Sequence, residues 1–204
     1  MAPMKLFFAD TETTGLDPAQ HEIFQLAFLV EIDGKVVEEK TILFRPERPE
    51  TISADALRIT RKTKEELLSY PPKRQGYESL IAALDRWVDR YDKDDKLFWV
   101  GQNPRFDMDF LRVFFQELED PYFGSWWHHV PADLIALAMI MRLRRHIDPP
   151  DFKLESLAQA CGVPLIPHDA LADVRATHSI WKKLLALIPL AEPAKSCQPS
   201  RRRP

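Results

Sequence analysis

The stretch Lys5-Leu6-Phe7-Phe8-Ala9-Asp10-Thr11-Glu12-Thr13-Thr14-Gly15-Leu16 begins as an apolar run and turns acidic without losing its period. Lys5–Ala9 reads as a short strand ending in Asp10. A strand alternates its side chains between two faces, so Asp10 and Glu12, two residues apart, share one. Two anions side by side repel, and without a cation one of them is pushed toward protonation. A divalent ion turns the repulsion into a ligand pair, and hard oxygen ligands suit Mg²⁺ or Mn²⁺. Two solvated acids at an exposed strand end give the same spacing, so the pair alone decides nothing.

Outward from this strand, Phe24–Ile32 and Lys35–Phe44 read as two more, joined by Asp33-Gly34, a dipeptide that tolerates positive φ at both turn positions. Tyr77, Leu80, Ile81, Leu84, Trp87, Val88 and Tyr91 fall on one face of a helix. Leu97–Gly101 reads as a buried strand. Asn103-Pro104 opens a helix running through Phe106, Phe110, Leu111, Phe114 and Leu118, with Asn as cap and Pro as first helical residue. Trp126–Val130 reads as a last strand, and Asp133 caps a helix reaching about Arg145. Lys153–Ala160 is a short helix ended by Gly162, and a last helix covers roughly Ala170–Leu187. The sum is an α/β fold: a three-stranded antiparallel start, then strand–helix alternation, a mixed sheet flanked by helices. Residues 1–190 make one domain. Beyond Pro189, proline, alanine, serine and three terminal arginines read as a disordered basic tail over 191–204.

Further acids stand where helices begin. Asp107 follows Gly101-Gln102-Asn103-Pro104, and Asp173 follows His168-Asp169-Ala170-Leu171-Ala172. Taken singly, an acid in a first helical turn merely complements the helix dipole, and Asp109 does no more than that. Taken together, three separate segments each bring an acid to a strand end or helix start, the usual place for sites in α/β sheets.

The set resembles the DEDDh proofreading-type exonucleases, the group containing the epsilon subunit of bacterial DNA polymerase III and ribonuclease T. Three motifs carry the resemblance: Asp10-Thr11-Glu12-Thr13-Thr14-Gly15-Leu16, then Asn103-Pro104-Arg105-Phe106-Asp107-Met108-Asp109-Phe110-Leu111, then His168 with Asp173 five residues on. Ser53–Leu67, Asp133-Leu134 and Lys153–Ala158 add lesser matches, so the likeness covers about residues 5–188 in the correct order. Gln102 departs from the histidine that many members have before the asparagine. The resemblance implies a ribonuclease H-like fold and a 3′→5′ exonuclease with two divalent cations, Mg²⁺ or Mn²⁺, about 4 Å apart. It implies that Asp10, Glu12 and Asp173 hold one ion, that Asp10 and Asp107 serve the second, and that His168 is the general base. It also implies end recognition by Thr13, Leu16, Asn103 and Phe106. Core packing accounts for Phe106, and capping for Asn103, almost as well.

The implied partner is nucleic acid with a free 3′ end, single-stranded DNA ahead of RNA, with a polymerase or a second copy as a further partner. A net charge of −3 is not the broad basic surface of a protein that coats duplex DNA, but an enzyme gripping a strand end with bound cations does without one. No apolar run is long enough to span a membrane, and Cys161 and Cys197 form no disulfide framework, so a cytoplasmic protein is expected. Haloacid-dehalogenase-type phosphatases also start from two acids at a strand end, but they need Asp where this chain has Glu12. An adaptor that had lost catalysis has no reason to keep all five catalytic positions. His128, His129 and Cys161 lack metal-ligand spacing, Trp126 and Trp127 read as core, and Arg142, Arg144, Arg145 and Lys153 read as solvated helix ends.

Overall fold

The computed structural model describes residues 3–165 and 169–189, so His168 and the 191–204 tail lie outside the described residues. The acidic strand is longer than its apolar run. As β1 it spans Lys5–Thr13 and pairs along its length with β2 (Ile23–Ile32), so Asp10 and Glu12 lie within the sheet. β3 (Lys35–Leu43) follows through the turn, where Asp33 and Gly34 have φ of 48° and 80°. The sheet order is β3-β2-β1-β4-β5, with β4 at Phe98–Gly101 and β5 at Ala132–Asp133; β1–β4 and β4–β5 are parallel. This is the mixed sheet expected.

Strand alternation sorts the core. Phe7, Ala9, Leu26, Phe28, Val30 and Trp99 face α3 (Lys73–Leu84) and α4 (Pro104–Glu117). Phe8, Ala27, Leu29 and Val100 face the other way, onto Ala170 and Val174 of α8 (Ala170–Ala186). β1, at the centre, is thus covered on both faces. α8 also packs with α6 (Leu134–Leu143) and α7 (Leu154–Cys161) around Leu137, Met141, Leu157 and Ile180.

Several expectations need correction. Trp126–Val130 is not a strand: Phe123–Trp126 is a helical turn, α5, and Trp127 makes only an isolated bridge to Leu97. Trp126 and Trp127 are both buried, and neighbouring residues of a strand cannot both face one core. The helix expected through Tyr91 ends at Leu84; Trp87 and Val88 still pack inward, but Tyr91 is exposed. Two short helices with Ser53 and Thr63 as caps, α1 (Ala54–Thr60) and α2 (Lys64–Leu68), carry too little periodicity to be read from sequence. Asn103 caps α4 without a side-chain hydrogen bond; it takes a left-handed conformation (φ 55°) that asparagine tolerates well.

One ionic network holds the start of β2 to both helices of its face. Lys73, only 3 % exposed, reaches Glu22 at 2.7 Å and Glu117 at 2.8 Å, and Glu22 also accepts the backbone N–H groups of Glu47 and Arg48. Burial works against the Lys73 charge, but the Glu117 and Glu22 carboxylates outweigh it and hold its pKa above the ordinary value. Removing one member of a buried pair leaves the other uncompensated. Lys73→Ala is expected to cost about 3 kcal/mol in urea unfolding, and a loss below about 1 kcal/mol would mean water replaces the lysine.

Candidate active site

At its carboxyl end β1 outruns its parallel neighbour. β4 pairs with Leu6, Phe7 and Phe8, then turns away after Gly101 into α4, which leaves a notch beside Asp10 and Glu12. Such notches at the carboxyl ends of parallel strands are where α/β sheets hold ligands. Asp10 and Glu12 project to the α8 face, where Asp173 stands in the first turn of that helix. Asp169 is the α8 cap, its carboxylate accepting the N–H groups of Leu171 and Ala172 at 3.0 Å each.

Asp107 arrives from the opposite side, in the first turn of α4, and is 4 % exposed. Its Oδ1 accepts both the backbone N–H (2.9 Å) and the hydroxyl (2.7 Å) of Thr11, the residue between the two strand acids. This clamp fixes α4 against β1.

The four acids are close enough to disturb one another. Burial, then Asp107, Glu12 and Asp173, push Asp10 well above the ordinary carboxylate range. Burial and Asp173 raise Glu12 to about 7, against a lowering by Lys62. Burial raises Asp107 to about 7, although the two Thr11 hydrogen bonds work to lower it. A set of hard-oxygen donors, one buried and three half-buried, whose charges repel one another is what a divalent cation neutralises, so the residues fit such an ion. Among the described residues no three His, Cys, Asp or Glu side chains are drawn in to the spacing of a finished ion cage.

Beside the acids lies a cleft of about 540 Å³. Thr11, Glu12 and Thr13 form its floor, and Leu16 and Phe106 stand at its sides. Leu16 is 83 % exposed, unusual for leucine and unexplained by packing; Phe106 lines the cleft and also packs on the core. Thr13 is buried and donates its hydroxyl to Gly15 O at 2.7 Å. Asn103 is exposed and its backbone N–H donates to Asp133 at 3.2 Å. The far wall comes from α1, through Ala56, Ile59 and Thr60. Apart from the motif likeness of that segment, the only signal for this wall is an isoleucine that the fold leaves 53 % exposed. His21, also unforeseen, lies so tightly on Gly15 that any β-carbon there would strike its ring.

A family model described as Exonuclease (RNase_T) matches residues 7–180. The chain is similar to DNA polymerase III PolC-type of Thermotoga petrophila, 27 % identical over 180 residues, covering 88 % of this chain and 12 % of that protein. It thus spans about an eighth of the polymerases it matches. Among solved structures it resembles E. coli Exonuclease I in complex with a dA16 oligonucleotide, with a TM-score of 0.74 and 25 % identity over 90 % of this chain and 41 % of that one. A zinc-bound form of the E. coli Exonuclease I–ssDNA complex gives the same TM-score and identity, over 90 % and 40 % of the two chains.

The raised acids set a pH dependence. Glu12 and Asp107 bind protons more tightly folded than unfolded, so their contribution is full below about pH 4 and lost as pH rises through about 7. In EDTA, thermal stability is expected to fall from pH 5 to pH 8, and Asp10→Asn to raise the melting temperature at pH 8. Adding Mn²⁺ should stabilise the unsubstituted chain more at pH 8 than at pH 5.5. A melting temperature indifferent to both pH and Mn²⁺ would refute the carboxylate cluster as a cation site.

Proposed function

We propose, for a chain that belongs to the RNase_T family of exonucleases and is a 3′→5′ exonuclease of the DEDDh type, that it trims single-stranded nucleic acid, DNA in preference to RNA, with two divalent cations, Mg²⁺ or Mn²⁺. The convergence of Asp10, Glu12, Asp107 and Asp173 at the open end of β1 carries this reading. The likeness to Exonuclease I bound to a dA16 oligonucleotide supports the choice of DNA. Cytoplasmic residence, and a polymerase or second copy as partner, remain part of the proposal, the polymerase supported by the PolC-type relatives.

Asp10, Glu12 and Asp173 would hold one ion, and Asp10 with Asp107 would serve the second. When bound, the ions supply positive charge against the phosphate and the departing 3′ oxygen. His168 takes a proton from the attacking water, a role suited to an imidazole whose ordinary pKa is near 6.5. The bond to the 3′ oxygen breaks, that oxygen gains a proton, and a nucleoside 5′-monophosphate leaves. Leu16 and Phe106 offer apolar surfaces to the terminal bases across the cleft, and Thr13 and Asn103 offer polar contacts to the strand end.

Digestion of matched end-labelled DNA and RNA oligonucleotides tests the reading. EDTA should abolish release of mononucleotides and Mg²⁺ or Mn²⁺ restore it, DNA being consumed faster. His168→Ala should lower the rate by about 10²–10⁴-fold while Mn²⁺ still stabilises the fold. Activity that survives thorough chelation defeats the two-ion scheme, and faster loss of RNA reverses the substrate preference.

The 1–190 domain boundary has its own check. Truncation after Leu190 should leave the melting temperature and turnover unchanged and weaken affinity at most at low salt, through the lost arginines 201–203. Unfolding of the truncated chain would place the tail within the fold.

A further inference from the structure

At the amino end of β4, level with Leu6 and so about 13–20 Å along the strand from Asp10 and Glu12, lies a second cavity of about 440 Å³, lined by the start of β4, one flank of α4 and the segment around α5. Three flat rings adjoin one another at its side, the first two stacked and the third tilted against them. Phe98 and His128 lie 4.6 Å apart with planes at 28°, and His128 and His129 lie 4.6 Å apart at 32°. The ladder climbs from a half-buried residue of the sheet to His129, which is exposed. The backbone N–H of Val130 donates to His128 Nδ1 at 3.3 Å, which orients that ring.

Around the ladder, Lys93, Lys96 and Arg112 face a single acid, Asp94. In a chain of net charge −3 this is a local excess of cations. Lys96 already donates to Gly124 O at 2.6 Å, and Arg112 lies 4.6 Å over the Phe123 ring, so both are held in place. Trp127 supplies a further wall; its buried indole N–H has no acceptor among the described residues. Stacked rings with a free end, flanked by cations, match the chemistry of single-stranded nucleic acid: bases that stack and phosphates that need positive charge.

We propose that the Phe98–His128–His129 ladder with Lys93, Lys96 and Arg112 is a second nucleotide-binding site, taking a base on the exposed face of His129 and a phosphate beside the cations. It deepens the nucleic-acid reading above and rests on it for its ligand class. The nucleotide comes either from the substrate strand, away from its cleaved end, or from free mononucleotide. A strand held at two places dissociates more slowly than one held at the cleft alone, because the second contact forms at high effective concentration.

Binding is measured in EDTA, where no hydrolysis is needed, so a catalytically silent chain still gives an answer. Fluorescent oligothymidylates of 3 and 15 nucleotides, and unlabelled dTMP, are titrated into the full chain, into His128→Ala/His129→Ala and into Lys93→Glu, a substitution on an exposed loop that spares the core. For a strand-derived nucleotide, both variants bind the 15-mer about tenfold more weakly and the 3-mer unchanged. For free mononucleotide, both lose dTMP affinity about tenfold and the 15-mer is unaffected. Normal affinity of the Lys93→Glu variant for all three ligands overturns the proposal, even if the double variant fails to fold. Absence of cleavage by a chain that still binds the 15-mer through the ladder would count against the catalytic reading alone.

Discussion

Like charges gathered where water is scarce govern this molecule. β1 is covered on both faces by helices, yet its outward run changes from Leu6 and Phe8 to Asp10 and Glu12 without changing face. The apolar half places the strand at the centre of the sheet, and the acidic half then stands at the sheet's open end. Everything nearby answers to that placement. Asp107 is anchored by Thr11, Asp169 caps the helix that carries Asp173, and Lys62 tempers Glu12. The metal-free fold is thus less comfortable than it need be, as sites that bind charge commonly are.

The rest of the structure resists this local cost. The Glu22–Lys73–Glu117 network ties the start of β2 to α3 and α4, and Glu22 is bonded through its backbone to Thr14, beside the acidic strand. Stacked and edge-on rings from Phe7, Phe28, Trp99 and Trp127 fill the adjoining core. Close packing of this kind holds the acids where their repulsion alone would not.

Much of this was legible in the sequence, for identifiable reasons. Strand period puts Asp10 and Glu12 on one face whatever surrounds them, and Asp33-Gly34 dictates its turn by φ alone. Helix starts mark Asp107 and Asp173 because the side chains of the first turn point back toward the strand ends. What stayed hidden depends on tertiary contact. No local rule says that Thr11 grips a residue 96 positions away, or that α1 closes the cleft with Ile59. Trp126–Val130 misled because apolar, aromatic residues favour strands, whereas here two adjacent tryptophans are both drawn inward by a bend. Asn103 suited a cap by composition, but its backbone, not its side chain, is what the α4 entry uses.

The contact between Gly15 and His21 bears on how such a chain is free to vary. The imidazole occupies the space a β-carbon at position 15 would take, and its Nδ1 is engaged with the backbone of Asp17, so it cannot simply swing aside. A side chain at 15 is compatible with this turn only where residue 21 is small or points elsewhere. The two positions therefore form one unit of inheritance. A lineage that enlarges the first must already have given up the second, an order that passes through a chain with a hole beside its cleft; the reverse order passes through a clash.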